Sequence, residues 1–425
     1  MATTTNNQMF HKTLVRESPV RQRVLGAFYL LLALSIWFFF ARSVEGNAIA
    51  SFGLSTFQAR TQLPQWDLPV LNTLSILAVV CAILGGIQLS RGFKKYTNAV
   101  LAIVVSIFVF GFLVWATAGK SLNLVGLFNT TLSKAVPITL GALSGILCER
   151  AGVVNIAIEG MMLSGAMVSA LVASLTQNAW IGLLCAVISG ALLAFIHGIF
   201  SIKYKTNQII SGTVINIFAT GLTSYISAKF LQVYPDLNNP PTFGAIAIPV
   251  LADIPVIGEI FFVNNLFVIA MFIFIIILQI ALFQTRWGLR VRAVGEHPKA
   301  ADTLGIDVFK TRYMSVILGG MMAGFAGAYF TLGSAGRFDE VMTAGRGFIG
   351  LAAMIFGNWI PTGGFAAGLL FGFADSLASR MAILGIPIPS QFLLMLPYIA
   401  TMIVLAGVIG KGHVPAADGI PYEKE

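Results

Sequence analysis

The residues most able to do chemistry in this sequence are a few carboxylates and amides that interrupt long apolar stretches. Asn155 and Glu159 belong to a polar segment, 149–160, between two apolar runs, and Asn216 and Asp375 lie inside later runs. Ionisable groups at membrane depth are costly and are usually paired or functional. We therefore predict that these four residues line a mildly polar path for a small solute. Capping of a broken helix is an equal alternative for Asn155 and Glu159, and helix packing is one for Asp375.

Two further polar features accompany these residues. Glu149 and Arg150 stand together at the start of the polar segment, and pairing with each other at a helix end is the simplest interpretation. The segment 285–312 separates two strongly apolar runs and contains six basic residues. Residues 296–304 within it could form a short helix that Gly305 ends. A solvated loop and a docking element for a soluble partner fit this pattern equally well.

The elements that must position these residues follow from composition. Of 425 residues, 57% are hydrophobic and 10% are charged, against about 25% charged in an ordinary globular domain. So few polar residues exclude a soluble enzyme, a nucleic-acid module and a disordered scaffold. A span needs about 20 apolar residues, which predicts an all-α, polytopic transmembrane bundle of about 12 spans. We assign the spans to 24–41, 68–90, 98–118, 131–148, 160–175, 179–202, 209–228, 264–284, 313–332, 347–360, 363–379 and 391–410.

Two places in this series are candidates for broken helices, namely 149–160 and 347–361. Irregular backbone is tolerated at membrane depth only where protein or a water-filled path covers it. The first apolar run, 24–41, is predicted as a retained helix, with a cleaved signal peptide as the alternative.

The formal net charge of +9 is explained by orientation. With the N-terminus inside, alternating spans place 18 of the 26 Lys and Arg residues on the inner side and eight on the outer side. This bias predicts that both termini are cytoplasmic. The basic residues form no stripe with interleaved aromatic residues, so we expect no nucleic-acid partner. The predicted segments are an N-terminal cytoplasmic segment (1–23), three helices (24–124), a core (125–410) that includes the loop 285–312, and a cytoplasmic tail (411–425).

The sequence contains no recognisable catalytic or metal-binding pattern. Cys81, Cys148 and Cys185 all fall in apolar stretches, without disulfide or metal-ligand spacing. Gly119-Lys120-Ser121 lacks the first glycine of a phosphate-binding loop. We therefore predict no catalytic residue, metal or cofactor. If transport uses ATP, the ATPase is on another chain.

Three segments carry a resemblance to a known family. They are ERAGVVNIAIEGMM (149–162), GLRVRAVGEHPKAADTLGID (288–307), and RGFIGLAAMIFGNWIPTGG (346–364) followed by LLFGFAD (369–375). In this order they resemble permeases of nucleoside and simple-sugar ABC importers, within the group that includes ribose and branched-chain amino-acid permeases. The resemblance covers roughly residues 125–410.

The resemblance implies a permease subunit in a bacterial plasma membrane that imports nucleosides or simple sugars. Its expected partners are an ABC ATPase, a second permease chain in a heterodimer, and an extracytoplasmic substrate-binding lipoprotein or periplasmic protein. Lys299 to Gly305 resembles the Glu-Ala-Ala-x-x-x-Gly docking segment of such permeases, with Lys in place of Glu. The implied ATPase-coupling residues are Glu296, His297, Lys299, Ala300, Ala301 and Gly305.

Two other classes of protein remain open from the residues alone. An ion- or proton-coupled secondary transporter of a small polar solute could use Glu159 and Asp375 as relay groups and also uses broken helices. An integral membrane enzyme or scaffold is less favoured, because no catalytic constellation is present and a scaffold needs no polar groups within its spans.

Overall fold

The chain folds into two compact helical units. The computed structural model describes residues 19–56, 62–386, 389, 391–395, 398–399 and 413–424. The first unit consists of the described residues up to Leu54 together with Leu63–Leu124, and the second of the described parts of Ser55–Gln62 and Val125–Glu425.

The first unit has three long helices and a small sheet. The helices are α1 (Pro19–Ser35, continued by a π-helical turn Ile36–Phe40), α2 (Val70–Ser90) and α3 (Thr97–Ala116). The strand β1 (Ile49–Gly53) pairs antiparallel with β2 (Trp66–Pro69) and parallel with β3 (Ser121–Asn123). Apolar side chains such as Leu31 and Ile76 are exposed on these helices, as expected for surfaces that face lipid.

The second unit contains ten helices and one β-hairpin. Its strands β4 (Ala245–Ala247) and β5 (Val263–Asn265) pair antiparallel. Its helices are α4 (Leu124–Glu149), α5 (Ile158–Thr176), α6 (Ala179–Gly198), α7 (Gln208–Ile226), α8 (Leu266–Gln284), α9 (Arg286–Glu296), α10 (Pro298–Thr303), α11 (Val308–Ala328), α12 (Arg346–Phe356) and α13 (Pro361–Ile383). The helices α6, α7 and α11 each continue into a π-helical turn.

Ten helices of the described residues are long and apolar enough to cross a membrane, and they coincide with ten of the predicted spans. The fold class, a polytopic all-α bundle, is therefore confirmed. An eleventh predicted span corresponds to α12, whose 11 residues reach about 16 Å, roughly half of the hydrocarbon thickness. The last predicted span, 391–410, lies largely outside the described residues. The five short strands were not predicted.

Both predicted helix breaks are present. Residues 150–157 separate α4 from α5, and residues 357–360 separate α12 from α13. At the second break Asn358 and Trp359 have positive φ angles of 57° and 54°, which no helix tolerates. In a continuous helix the N–H and C=O groups at these places would bond within the helix. They would then be unavailable for the contacts of the site described below.

The core of the second unit depends on glycines where α5, α6 and α11 cross. A Cβ atom added at Gly320 would collide with the carbonyl oxygen of Gly190, and one added at Gly165 would lie 2.7 Å from the carbonyl oxygen of Gly324. Small residues let helix backbones approach closely where no hydrophobic effect drives them together. The Gly320–Gly324 spacing thus serves helix packing.

Candidate functional site

The break between α4 and α5 is a buried stretch of irregular backbone whose polar groups bond to side chains of neighbouring helices. The backbone N–H of Val154 donates to Oε1 of Gln208 at 2.7 Å, and the carbonyl oxygen of Val154 lies 2.9 Å from Nε2 of His197. Unsatisfied backbone groups cost several kcal/mol in a membrane. Side chains of α6 and α7 therefore stabilise the irregular backbone of this break.

Asn155 and Asn216, two of the predicted path residues, belong to the same set of bonds. Oδ1 of Asn155 accepts from the backbone N–H of Ala157 at 3.1 Å. Oδ1 of Asn216 accepts from the backbone N–H of Gly160 at 2.8 Å, and its Nδ2 donates to the carbonyl of Ile156 at 2.9 Å. Both side chains are buried and fasten the start of α5. Their role in lining a path stays a prediction.

Glu159 links α5 to the start of the short helix α12. Its Oε1 accepts from Oγ1 of Thr343 at 2.6 Å and from the backbone N–H of Gly345 at 2.8 Å, while Oε2 accepts from the N–H of Gly347 at 2.6 Å. A helix N-terminus carries free N–H groups and partial positive charge, both of which favour a carboxylate. A Cβ at Gly347 would lie 2.6 Å from the Glu159 nitrogen, so the contact requires glycine there. The arrangement is that of a helix cap provided by another helix, and a role in the path stays a prediction.

Glu149 and Arg150 both bond to Trp359, in the break between α12 and α13, rather than to each other. The indole Nε1 of Trp359 donates to Oε2 of Glu149 at 2.6 Å. Nε of Arg150 donates to the carbonyl of Trp359 at 2.9 Å. The pairing expected from their adjacency is therefore replaced by contacts to Trp359. The two helix breaks are bonded to each other through these residues.

Asp375, the fourth predicted path residue, lies on α13 between two cations. Its Oδ1 is 3.0 Å from Nζ of Lys134, and its Oδ2 is 2.8 Å from Nη2 of Arg346. Nζ of Lys134 also donates to Oγ of Ser379 at 2.6 Å. The Asp375 side chain is only 18% exposed, so the ion pairs compensate a partly desolvated carboxylate. Its two partners lie on other helices, Lys134 on α4 and Arg346 at the start of α12.

A cavity of about 200 Å³ lies next to this ion-paired group. Its wall combines the charged Arg346 and Asp375 with two aromatic rings, those of Phe371 and Tyr398, whose centroids are 5.5 Å apart in an edge-to-face arrangement. Its other lining residues are Ile138, Ala344, Ile349, Ala374 and Leu394. An apolar wall with a few converging polar groups is typical of small-molecule sites. This cavity can present hydrogen-bonding groups and ring faces to a polar solute.

The predicted coupling residues lie around a short exposed helix. Glu296 is the last residue of α9, and Nδ1 of His297 caps α10 by accepting from the N–H of Ala300 at 3.1 Å. Within α10, Ala301 is buried, whereas Lys299 is exposed. Gly305 follows with a φ of +80°. The single helix expected over 296–304 is thus replaced by the end of α9 and the six-residue helix α10.

Beside α10 lies a groove with a volume of about 740 Å³. The walls come from α9, the loop after α10, and the start of α11. Leu304, at its edge, is 81% exposed and free to be covered by another protein. The other lining residues are Arg286, Trp287, Leu289, Arg290, Ala293, Gly305, Ile306, Asp307, Lys310, Thr311 and Met314.

The family of permease components of branched-chain amino acid transport systems matches residues 126–406. The chain belongs to this family. It is 40% identical to the guanosine ABC transporter permease protein NupQ of Bacillus subtilis over 69% of this chain and 95% of that protein. It is 41% identical to the nucleoside ABC transporter permease protein NupC of Lactococcus lactis over 68% of this chain and 94% of that protein. No solved structure matches the chain.

A more distant similarity is to the putative glucose ABC transporter permease protein TsgC13 of Haloferax volcanii, at 36% identity over 60% of this chain and 77% of that protein. The resemblance drawn from the three sequence segments is confirmed. The chain is thus a multi-pass membrane permease, a transport component and not an enzyme. Among the residues that the structure describes, no three His, Cys, Asp or Glu side chains form a group able to hold a metal ion.

Several partners of the site were missed from the sequence alone. They are Lys134 and Arg346 beside Asp375, Thr343, Gly345 and Gly347 beside Glu159, and Trp359 beside Glu149 and Arg150. One signal was available, because a carboxylate within a span needs a cation and few cations lie near span ends. The backbone donors carried no signal, since every residue type except proline supplies them.

Proposed function

We propose that this chain is the permease subunit of an ATP-driven ABC importer that translocates nucleosides. The observation that carries the proposal is the 40% identity to a guanosine permease over 95% of that relative's length. The similar identity to the nucleoside permease of Lactococcus lactis supports it. Simple sugars are the second substrate class, supported by the more distant glucose permease of Haloferax volcanii.

The cavity beside Asp375 is part of the translocation path in this proposal. A nucleoside has ring faces and several hydroxyl groups. The rings of Phe371 and Tyr398 suit the base, while Arg346 and Asp375 suit the hydroxyls and the base edge. Because Asp375 is held by two cations, it acts here as a fixed hydrogen-bond acceptor rather than as a proton relay. Asn155, Glu159 and Asn216 contribute by holding the helix breaks that shape this region.

The proposed assembly has an ATPase, a second permease and an extracytoplasmic substrate-binding protein. The ATPase docks at the exposed helix α10 and its groove, through the coupling segment that contains Lys299 and Gly305. A second permease is supported by a further Bacillus subtilis guanosine permease, NupP, which is 26% identical to this chain. The excess of Lys and Arg on one side of the predicted spans supports a cytoplasmic position for both termini and for α10. The loop 285–312 is then the coupling loop of a core spanning 125–410, preceded by three additional helices, 24–124.

The function is tested by uptake in cells that lack the gene. We expect that cells carrying the gene accumulate radiolabelled guanosine or uridine, and that knockout cells lose at least about 90% of that uptake. Uptake should stop on ATP depletion and survive an uncoupler. Uptake that collapses with the uncoupler and survives ATP depletion would show a secondary transporter instead. Uptake of ribose or glucose in place of nucleosides would show that the substrates are simple sugars.

The role of the cavity is tested by Asp375→Asn, which removes the charge and keeps the size. It leaves Lys134 and Arg346 without the carboxylate that lies between them, and we expect nucleoside uptake to fall about tenfold or more. Asp339→Asn is the matched control, because Asp339 forms an exposed pair with Arg337 away from the cavity. The control should stay within about twofold of the wild type. Equal uptake by both variants would remove the cavity from the path.

Docking of the ATPase is tested by Gly305→Pro. Gly305 has a φ of +80°, and proline is fixed near −65°, so the end of α10 must rearrange. We expect loss of both uptake and recovery of the ATPase in a pull-down. If both remain, the coupling segment lies elsewhere.

A further inference from the structure

The C-terminal segment 413–424 folds back onto the helices that carry the predicted coupling residues. The backbone N–H of Ala417 donates to the carbonyl of Gly295 at 2.8 Å, and the N–H of Ala416 lies 3.3 Å from Oε2 of Glu296. Gly295 and Glu296 are the last two residues of α9, immediately before α10. The segment is therefore bonded to the C-terminal end of α9, immediately before the exposed helix α10.

Tyr422 anchors the same segment by an apolar contact. It is only 5% exposed and belongs to a buried cluster with Val294 of α9, Ala301 of α10 and Val308 of α11. Its ring packs on Phe309 with a centroid distance of 5.4 Å. Buried aromatic side chains are among the largest contributors to contacts of this kind. Tyr422 therefore packs directly against α9, α10 and α11.

The other end of the segment reaches the break between α12 and α13. The backbone N–H of His413 donates to Oδ1 of Asn358 at 2.6 Å. In the middle of the segment the carboxyl group of Asp418 lies close to Glu149 and to the guanidinium of Arg312. Glu149 in turn accepts the indole N–H of Trp359. The segment thus bonds directly to the break at Asn358. It also lies close to Glu149, which bonds to Trp359 in the same break.

Two further contacts of the segment involve charged side chains. Nη1 of Arg312 donates to the carbonyl of Ile420 at 3.0 Å, whereas Lys205 and Glu423 form a surface ion pair at 2.6 Å. Exposed ion pairs contribute little. The backbone hydrogen bonds, the bond from the buried Arg312 and the ring of Tyr422 therefore hold the segment in place, whereas the side chain of Ile420 is exposed and makes no such contribution.

We propose that residues 413–424 form a coupling strap, which transmits movement of α9 and α10 to the break before α13 and thereby to α12. The strap contacts the element that the ATPase is proposed to move at one end and the element beside the proposed path at the other. A packed segment bonded at both ends converts a shift of one element into a shift of the other. The coupling role rests on the proposed function, whereas docking of the strap does not.

Docking is tested first, by hydrogen exchange in the purified transporter. The N–H groups of Ala416 and Ala417 should exchange slowly in the wild type. Tyr422→Ala should raise their exchange by about tenfold or more, and Ile420→Ala should leave it unchanged. Tyr422→Phe keeps the ring and should restore protection. Rapid exchange in the wild type would overturn the docked strap.

Coupling is tested in the complete transporter reconstituted in vesicles, with its ATPase, second permease and binding protein. We expect Tyr422→Ala to hydrolyse ATP while the solute imported per ATP falls about tenfold, with Ile420→Ala close to the wild type. An unchanged ratio in a variant whose strap has lost protection would overturn the coupling role. If the Tyr422→Ala protein does not assemble, the wild-type transporter alone provides the test. Adding ATP must then change the hydrogen exchange of the backbone N–H groups of both Ala417 and Trp359. A change at only one of them overturns the proposal.

These measurements separate the two proposals. If the wild-type complex imports no nucleoside, the proposed substrate is wrong, but ATP-dependent exchange at the strap and the break still reports coupling without any cargo. If nucleosides are imported and the strap variants behave as the wild type, only the strap is overturned.

Discussion

Substituting Glu159 with glutamine separates a helix-capping carboxylate from one that contacts the solute. In the structure each oxygen of Glu159 accepts short hydrogen bonds, two of them from the backbone N–H groups of Gly345 and Gly347 at the start of α12. Glutamine has the same size and one acceptor oxygen. Its amide group must therefore point its own donors toward one of these N–H groups.

The cost of Glu159→Gln can be worked from these three bonds. A hydrogen bond to a charged group contributes about 1.5–3 kcal/mol and a neutral one about 0.5–1.5 kcal/mol, so losing the charge costs about 1 kcal/mol per bond. The N–H group left without an acceptor adds about 1–3 kcal/mol. Removing a buried charge returns part of this sum, because a carboxylate is expensive to desolvate. We expect a net loss of about 3 kcal/mol.

The assay is thermal unfolding of the purified protein in detergent, combined with nucleoside uptake in cells. A loss of about 3 kcal/mol should lower the melting temperature by about 3–5 °C and reduce uptake, because α12 starts beside the cavity. Glu340→Gln is the matched control. Glu340 lies in the same loop but is exposed and accepts from Gln232 at 3.1 Å, so its change should stay within about 0.5 kcal/mol.

Two results would refute this reasoning in different ways. A Glu159→Gln protein that melts and imports like the wild type would show that the three bonds contribute nothing net. A protein that melts like the wild type but no longer imports would show that the carboxylate acts on the solute, as a path-lining role predicts. Loss of both stability and uptake, with normal behaviour of Glu340→Gln, supports the cap.

Three further predictions concern packing, pH and the contact between the helix breaks. Gly324→Ala should lower stability by about 2 kcal/mol, since its Cβ would collide with a carbonyl of α6, while Gly221→Ala, in open space on α7, should be neutral or stabilising in the same melting assay. Burial raises the pKa of Asp418 to about 6 from 3.8, so strap docking should be strongest below about pH 4 and weaken as pH rises through about 6. Exchange corrected for intrinsic rates should show this, and Asp418→Asn should reduce the pH dependence. Trp359→Phe should leave the Glu149 carboxylate without its indole donor and lower stability by about 1–3 kcal/mol, and an unchanged melting temperature would contradict that bond.

The sequence was informative about features that depend on local composition. A span needs only a run of apolar residues of sufficient length, so ten spans could be placed, and the polar or Pro-containing interruptions at 149–160 and 347–361 revealed the breaks. The sequence also showed that Asp375 required an explanation, because an ionisable residue within a span is rarely without a partner. The length of α12 was overestimated. A short apolar run has the same composition whether its helix crosses the membrane or ends partway through it.

What the sequence by itself determined is therefore the membrane-spanning class, the family and the small set of polar residues worth testing. The tertiary structure alone decided what those residues bond to. Glu159 meets backbone donors nearly 190 positions away, Asp375 meets two cations from other helices, and the C-terminal segment meets α9. The physical reason is that hydropathy is additive along the chain, whereas hydrogen bonds and ion pairs depend on which helices lie side by side.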